Sequence, residues 1–117
     1  MTTIYKICGA AQWAEAERAG EFRGAGIDLA DGYIHFSTAG QVAETAAKHF
    51  TRMPELVLVA VAAEDLSGAL KWEPSRGGAL FPHLYGGLPM TAVRWVKPLP
   101  LDAGGMHVFP PEMAASN

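Results

Sequence analysis

The sequence has 117 residues and only one cysteine, Cys8, so no disulfide can form within the chain and a reducing cytosol suits it. It has no apolar run approaching the length that spans a bilayer, and no basic-plus-apolar segment precedes the first predicted strand. Charged residues make up only 18%, and the net charge of −3 comes without a basic cluster. We therefore expect a soluble, cytoplasmic protein that contacts neither membranes nor nucleic acid.

Several motifs of known chemistry are also missing. No G-x-S-x-G occurs, which argues against a hydrolase with a serine on a sharp exposed turn. The stretch 24–26 contains two glycines but lacks the Lys-Ser or Lys-Thr that completes a phosphate-binding loop. The spacing of His35, Glu73 and His83 matches no compact metal-ligand motif, so we expect no metal.

Composition and element order indicate one globular domain. Half of the residues are hydrophobic, and the length is sufficient to bury a core. Patterns predict helices at 10–19 and 39–50, and strands at 3–8, 33–38, 56–62, 69–73 and 91–97. The sequence therefore predicts an α+β fold, with two helices on a mixed or antiparallel sheet, in a single domain 1–117. Its core is 3–99, and 100–117 is an irregular tail.

Three segments carry more specific expectations. Residues 56–62 are apolar on both faces, which predicts a strand in the middle of a covered sheet. Residues 21–31 are predicted to form a loop, either a flap over a site or an ordinary surface loop. Residues 81–89 are predicted to be turn-rich. In the last strand, Val93 and Trp95 are expected on the core face.

The stretch from Asp31 to Thr38 is the most informative. Strict alternation there places Tyr33, His35 and Ser37 on one face of a strand, so a phenol, an imidazole and a hydroxyl are aligned. Thr38 and Gln41 have the spacing of a capping box that begins the second helix. A polar strand face leading into a helix N-terminus predicts a small-molecule site.

Each candidate residue also has a structural interpretation. His35 and His83 are candidate catalytic groups, but either imidazole can serve the fold. Glu73, at a strand end, is a candidate catalytic carboxylate or simply a partner of Lys71. Other residues have simpler interpretations. Cys8 is predicted to be a buried free thiol without a catalytic role. His49 is interpreted as a response to the helix dipole, and His107 as incidental.

Together these stretches resemble a known family. Ile4-Tyr5-Lys6-Ile7, Trp13, the segment from Asp31 to Thr38, Trp72-Glu73 and Phe81-Pro82-His83-Leu84-Tyr85-Gly86 are similar to the bacterial "domain of unknown function 952" family. The resemblance covers residues 3–99. That family is similar in arrangement to the ADP-ribosyltransferase-like fold, which also includes RNA 2′-phosphotransferases.

The resemblance implies a set of roles. In the wider fold, a basic or histidine residue on the first strand, a Ser-Thr stretch and a late glutamate surround NAD. The matching positions are Lys6, Ser37, Thr38 and Glu73. Tyr33 or Tyr85 is available to stack on nicotinamide. The glutamate would stabilise an oxocarbenium-like transition state electrostatically.

Three functions remain open from the sequence. The first is an ADP-ribosyltransferase-like enzyme that acts on NAD, as a substrate, or on a nucleotide-like molecule. The second is a non-catalytic module that binds a small molecule or nucleotide, and the third is a structural or interaction domain. The alternation and the rigid turns also give a spatial prediction, that the polar candidates share one cleft: His35, Ser37, Glu73, His83 and Tyr85.

Overall fold

The structure, a computed structural model, describes residues 2–66 and 68–115, apart from the side chains of residues 76, 114 and 115. The strands are β1 (Thr3–Gly9), β2 (Glu21–Phe22), β3 (Ile34–His35), β4 (Leu56–Ala62), β5 (Leu70–Ser75), β6 (Ala79–Leu84), β7 (Leu88–Pro89) and β8 (Val93–Pro98). The α-helices are α1 (Ala10–Ala19), α2 (Ile27–Asp31), α3 (Val42–His49) and α4 (Glu112–Ala115). Short 3₁₀ turns occupy Ala63–Leu66, Arg76–Gly78 and Met90–Ala92. The α+β class and the single domain are confirmed.

The first sheet is antiparallel and has the strand order β1-β4-β8. Its central strand, β4, is buried on both faces, as predicted. Leu58 and Ala60 point into one apolar cluster, whereas Val59 and Val61 point into another, and all four are fully buried. An apolar run with β-branched residues forms such a strand because both faces exclude water.

One of the two longer helices covers each face of this sheet. Trp13 and Ala16 of α1 join the cluster that contains Val59, and Val42 and Ala46 of α3 join the opposite cluster. Helix α1 has the predicted bounds and ends at Gly20, which adopts the left-handed conformation. The helix predicted at 39–50 is shorter.

The start of α3 has only part of the predicted cap. The Gln41 amide oxygen accepts a hydrogen bond from the Thr38 backbone N–H, but the Thr38 side chain makes no capping hydrogen bond. Only half of the expected capping box is therefore present.

The second sheet is antiparallel, with the order β3-β6-β5. Here the prediction that 81–89 is turn-rich was wrong over its first half, which lies in the central strand β6. Pro82 has no N–H to donate, but its carbonyl still accepts from Phe36 N–H at 3.0 Å, so the sheet tolerates it. The strand predicted at 33–38 is reduced to two residues.

Strand β8 corrects a further expectation. The pairing with β4 shifts between Ala60 and Val61, so that Ala60 faces Trp95 and Val61 faces Val93. Arg94 is the extra residue of this β-bulge, and a one-residue shift sends its neighbours to opposite faces. Val93 and Trp95 therefore contact different apolar clusters instead of sharing a core face.

The segments predicted to be irregular contain some regular structure. The loop 21–31 contains β2, which pairs with β7, and the short helix α2. The tail 100–117 contains an isolated bridge between Leu101 and His107 and ends, within the described residues, in α4. Its last two residues lie outside the description. No helix among the described residues is both long and apolar enough to cross a membrane.

An antiparallel bridge between Tyr5 and Ser37 connects the two sheets. Tyr5 N–H donates to the Ser37 carbonyl at 2.8 Å, and Ser37 N–H donates to the Tyr5 carbonyl at 2.9 Å. Beyond Tyr5, no other strand in the described parts of the chain pairs with this edge of β1. The sheets therefore diverge there and leave a cleft along the open edge of β1.

Candidate functional site

The cleft has a volume of about 610 Å³ and runs from the open edge of β1 to the second sheet. The predicted site residues with basic side chains line it, namely Lys6, His35 and His83. The aromatic ring of Tyr33 lines it as well. Helix α2 and the end of α3 close its two sides, and Cys8 lies in its floor.

The two histidines lie side by side because of the strand register. His35 of β3 pairs with His83 of β6, and His83 pairs in turn with Lys71 of β5. Residues opposite each other in an antiparallel sheet share a face. The two imidazole rings are 5.4 Å apart between centroids.

Tyr33 links these rings into one aromatic group. Its ring centroid is 4.6 Å from that of His35, 4.4 Å from that of His83 and 5.0 Å from that of Tyr85. Burial raises the pKa of Tyr33, and the negative charges of Asp31 and Glu73 add to the increase. The phenol is therefore neutral and serves as a flat surface between the imidazoles.

Glu73 contacts His83 but does not itself line the cleft. Its Oε1 atom is 2.8 Å from His83 Nδ1 and accepts a hydrogen bond from the Tyr85 hydroxyl at 2.8 Å. The hydrogen bond with His83, followed by that from Tyr85, lowers the pKa of Glu73. The hydrogen bond from the Tyr85 hydroxyl to Glu73 raises the pKa of Tyr85 to about 12, because an ionised Tyr85 could no longer donate it. Glu73 is thus ionised at neutral pH and holds both rings in place.

A second carboxylate, Asp28, holds the other imidazole, and sequence reasoning missed it. Asp28 Oδ1 is 2.7 Å from His35 Nδ1, and Asp28 Oδ2 is 2.7 Å from Lys6 Nζ. Burial alone would raise the pKa of Asp28, but the hydrogen bond with His35 and the charge of Lys6 outweigh it and lower the pKa to about 2. The side chain is fully buried, so the Lys6 ammonium is its main countercharge.

The signal for Asp28 was weak, because it lay in a segment interpreted as a loop. The only hint was its position between closely spaced glycines, at Gly24, Gly26 and Gly32, which all have positive φ angles. Such glycines allow a chain to turn inward, but they do not reveal which side chain is buried.

The structure places the remaining predicted residues less uniformly. Ser37 is buried and lines the cleft, but its hydroxyl is 2.9 Å from the Thr45 hydroxyl of α3. Thr38 does not line the cleft, and Glu73 and Tyr85 reach it only through His83 and Tyr33. Of the five residues predicted to share one cleft, three line it, whereas Glu73 and Tyr85 lie outside it, so the one-cleft prediction was wrong for those two.

Three residues given minor roles can now be placed. Cys8 is a buried free thiol, and burial raises its pKa to about 11 despite the charge of Lys6, so it is a poor nucleophile at neutral pH. His49 lies in the last turn of α3 and also lines the cleft. His107 is not incidental, because its Nε2 atom donates to the Met53 carbonyl at 2.9 Å.

No group of three metal-binding side chains is close enough to hold an ion within residues 2–66 and 68–115. The ligands that would be needed are engaged with each other instead. Asp28 and His35 are paired, and His35 Nε2 is 3.0 Å from Asp31 Oδ2. These contacts pair carboxylates with imidazoles, an arrangement that suits proton transfer.

The family profile of the "Protein of unknown function (DUF952)" matches residues 7–96, which is most of the chain. The chain belongs to this family. The DUF952 match includes the strands that carry His35, Glu73 and His83. A search of the curated proteins gave no match.

Solved structures of one bacterial protein are similar to this DUF952 chain. The crystal structure of protein CC0527 from Caulobacter crescentus is 50% identical, with 97% of this chain and 99% of that chain covered and a TM-score of 0.92. A double mutant of that protein is 49% identical with the same coverage and a TM-score of 0.91. Its solution NMR structure is 53% identical over 91% of each chain, with a TM-score of 0.81. This similarity agrees with the single-domain α+β fold.

Proposed function

We propose that the cleft binds NAD or a nucleotide-like molecule and that the chain acts on it as an ADP-ribosyltransferase-like enzyme. The observation that carries the proposal is the open edge of β1 inside a cleft lined by two imidazoles. Tyr5 directs its N–H and carbonyl toward Ser37, on the side away from β4. In an antiparallel ladder, the residue two positions on directs its groups the same way, and that residue is Ile7.

Ile7 lines the cleft, and within the described chain no other strand pairs with it on that side. A backbone N–H and a carbonyl on one residue are a matched donor and acceptor for a planar carboxamide, such as that of nicotinamide. The phenol of Tyr33 gives a flat surface at the end of the same cleft. A pyridinium ring would be favoured there, because Asp31 and Glu73 supply negative charge near Tyr33.

The imidazoles supply the proton chemistry of the proposal. The ionised Glu73 accepts a hydrogen bond from His83 Nδ1–H, which leaves Nε2 of the same ring as the base for an incoming nucleophile. The carboxylate would stabilise the positive charge that develops on the ribose as the glycosidic bond breaks. In this scheme His83 and His35 flank the reacting carbon, and Glu73 acts on it from behind His83.

A second candidate is the module that binds the same ligand without turnover. It is favoured because two residues that the family resemblance assigned to NAD are bonded to other side chains of the protein. Lys6 Nζ is 2.7 Å from Asp28, and the Ser37 hydroxyl is paired with that of Thr45. Neither group is available unless these bonds are exchanged for bonds to a ligand.

Calorimetric titration with NAD, followed by an assay of released nicotinamide, tests the proposal. We expect binding and slow nicotinamide release by the wild type. Glu73→Gln should bind NAD more weakly, since the pyridinium loses a nearby negative charge, and at saturating NAD it should release nicotinamide at least tenfold more slowly, since the carboxylate is lost. Glu15→Gln is the matched control, because Glu15 is an exposed carboxylate paired only with Arg18, and it should behave as the wild type.

The outcomes separate the three functions. Binding without nicotinamide release, in the wild type, would replace the enzyme with the binding module. Absence of binding to NAD, ADP-ribose and nicotinamide would overturn both and leave an interaction domain. Equal loss of release in Glu73→Gln and Glu15→Gln would show that the carboxylate has no specific role.

A further inference from the structure

The Asp28 carboxylate accepts more hydrogen bonds than its role as a countercharge requires. Its Oδ2 atom faces Lys6 Nζ at 2.7 Å and the Ala25 backbone N–H at 3.0 Å. Its Oδ1 atom accepts from the His35 backbone N–H at 3.0 Å and faces His35 Nδ1 at 2.7 Å, with Lys6 Nζ at 3.0 Å. Lys6 Nζ thus lies within hydrogen-bond distance of both oxygens, while Oδ2 also holds the loop and Oδ1 holds His35 at two points.

We propose that Asp28 is the positioning residue of this site, which fixes the orientation and the tautomer of the His35 ring. The inference rests on the proposed function only in one respect, namely that His35 takes part in the reaction. Two bonds from one oxygen, to the main chain and to the ring of the same residue, leave the imidazole a single orientation. That orientation directs Nε2 toward Asp31 at the cleft.

The ring of His35 lies between two unequal carboxylates. Asp28 is fully buried and 2.7 Å from Nδ1, whereas Asp31 is 38% exposed and 3.0 Å from Nε2. A buried charge attracts a proton more strongly than a charge screened by water. In its neutral form the ring should therefore carry its proton on Nδ1, and Nε2 should be the basic nitrogen on the cleft side.

The loop geometry supports a dedicated position for Asp28. Gly24 has a φ angle of +115°, and a Cβ atom there would lie 2.8 Å from the Cβ of Asp28. Residue 24 must be glycine for the loop to bring Asp28 this close to His35. The short helix α2 exposes its apolar residues Ile27 and Leu29, so the core contributes little to its placement. The carboxylate is the part of α2 that is buried.

The test is the nitrogen NMR spectrum of the histidine rings in ¹⁵N-labelled protein without ligand, at a pH where the rings are neutral. We expect the wild type to show a protonated Nδ1 at His35. Asp28→Asn should move the proton to Nε2, because Asp31 is then the only carboxylate facing the ring. Asp31→Asn is the matched control and should leave the proton on Nδ1.

His83 is an internal reference, since Glu73 and not Asp28 holds its Nδ1. Its spectrum should be unchanged in both variants. If Asp28→Asn does not fold, the double variant Lys6→Met with Asp28→Asn removes both buried charges and should give the same shift of the proton. If that variant also fails to fold, the position of the His35 ring proton in the wild type and in Asp31→Asn decides whether the proposal holds.

A proton on Nε2 of His35 in the wild type, or an unchanged His35 spectrum in a folded Asp28 variant, would overturn the proposal. Simultaneous loss of the His83 signature would overturn it as well, since Asp28 would then serve the fold in general. Because the spectra are recorded without ligand, they hold whether or not NAD binds. Failure of this inference is therefore distinct from failure of the proposed function.

Discussion

The site contains two imidazole–carboxylate pairs of nearly equal length and opposite burial. In the pair of Asp28 and His35 the carboxylate is fully buried and the imidazole is 29% exposed. In the pair of Glu73 and His83 the imidazole is 5% exposed and the carboxylate 35%. Removing the carboxylate charge should therefore have different consequences in the two pairs. The loss is costly only where water cannot take the place of the missing carboxylate.

The largest expected difference between the pairs is in the free energy of unfolding. Asp28→Asn leaves the buried Lys6 ammonium without a countercharge and should lose about 3 kcal/mol, measured by urea unfolding. Glu73→Gln should lose much less, because the amide oxygen still accepts from His83 and water reaches the pair. Equal losses in the two variants would contradict the comparison, and the double variant Lys6→Met with Asp28→Asn should recover most of the loss.

The pairs should also differ in acid. The pKa of Asp28 is about 2 in the folded protein and 3.8 as the ordinary value, so its ionised form favours folding. This contribution is fully present above pH 4 and disappears as the pH falls toward 2, with a loss of about 2 kcal/mol. Unfolding measured from pH 5 to pH 2 should show this slope in the wild type and lose most of it in Asp28→Asn. Glu73→Gln should retain it.

The loop that carries Asp28 provides a sharper test of position without a change of charge. Gly24→Ala meets both an unfavourable φ and the Cβ of Asp28, and it should lose about 2 kcal/mol. Gly20→Ala has a positive φ but no neighbour within 4 Å, and it should lose only about 1 kcal/mol. Thermal unfolding compares them. Equal losses would mean that α2 can move aside.

The smallest expected effect is at the exposed pair. Tyr85→Phe removes one of the two hydrogen bonds to Glu73 and should leave the free energy of unfolding almost unchanged, because water reaches both groups. The pKa of Glu73 should rise, because the ionised carboxylate loses a donor. The ¹³C shift of the Glu73 carboxylate, followed against pH, measures this. A pKa that stays constant would assign the whole decrease to His83.

Local pattern was sufficient for much of the fold. The bounds of α1 and of β4 followed from periodicity and from Gly20, because these elements are defined by their own residues. The bulge at Arg94 and the central strand through Pro82 did not follow, since both depend on partner strands distant in sequence. Tertiary pairing overrode the turn signal of proline in the second case.

The candidate site, like the fold, was only partly predictable from local sequence. His35 and His83 were found as candidates because each stands out in a short, distinctive stretch. Asp28 was missed because its importance comes from Lys6, 22 residues earlier, and from the burial of both. A buried ion pair between a strand and a loop has no local sequence signature.

The bridge between Tyr5 and Ser37 and the pairing of β1 with β4 also bear on how the chain is made. During synthesis β1 emerges well before its partner β4, which follows only after α1, β2, α2, β3 and α3. The nascent chain thus presents an unpaired apolar strand for about 2 to 10 seconds at ordinary rates of translation. Long-range pairings of this kind form late and slowly. The cleft is one of the last parts of the molecule to exist, so a chaperone would meet β1 long before any ligand could.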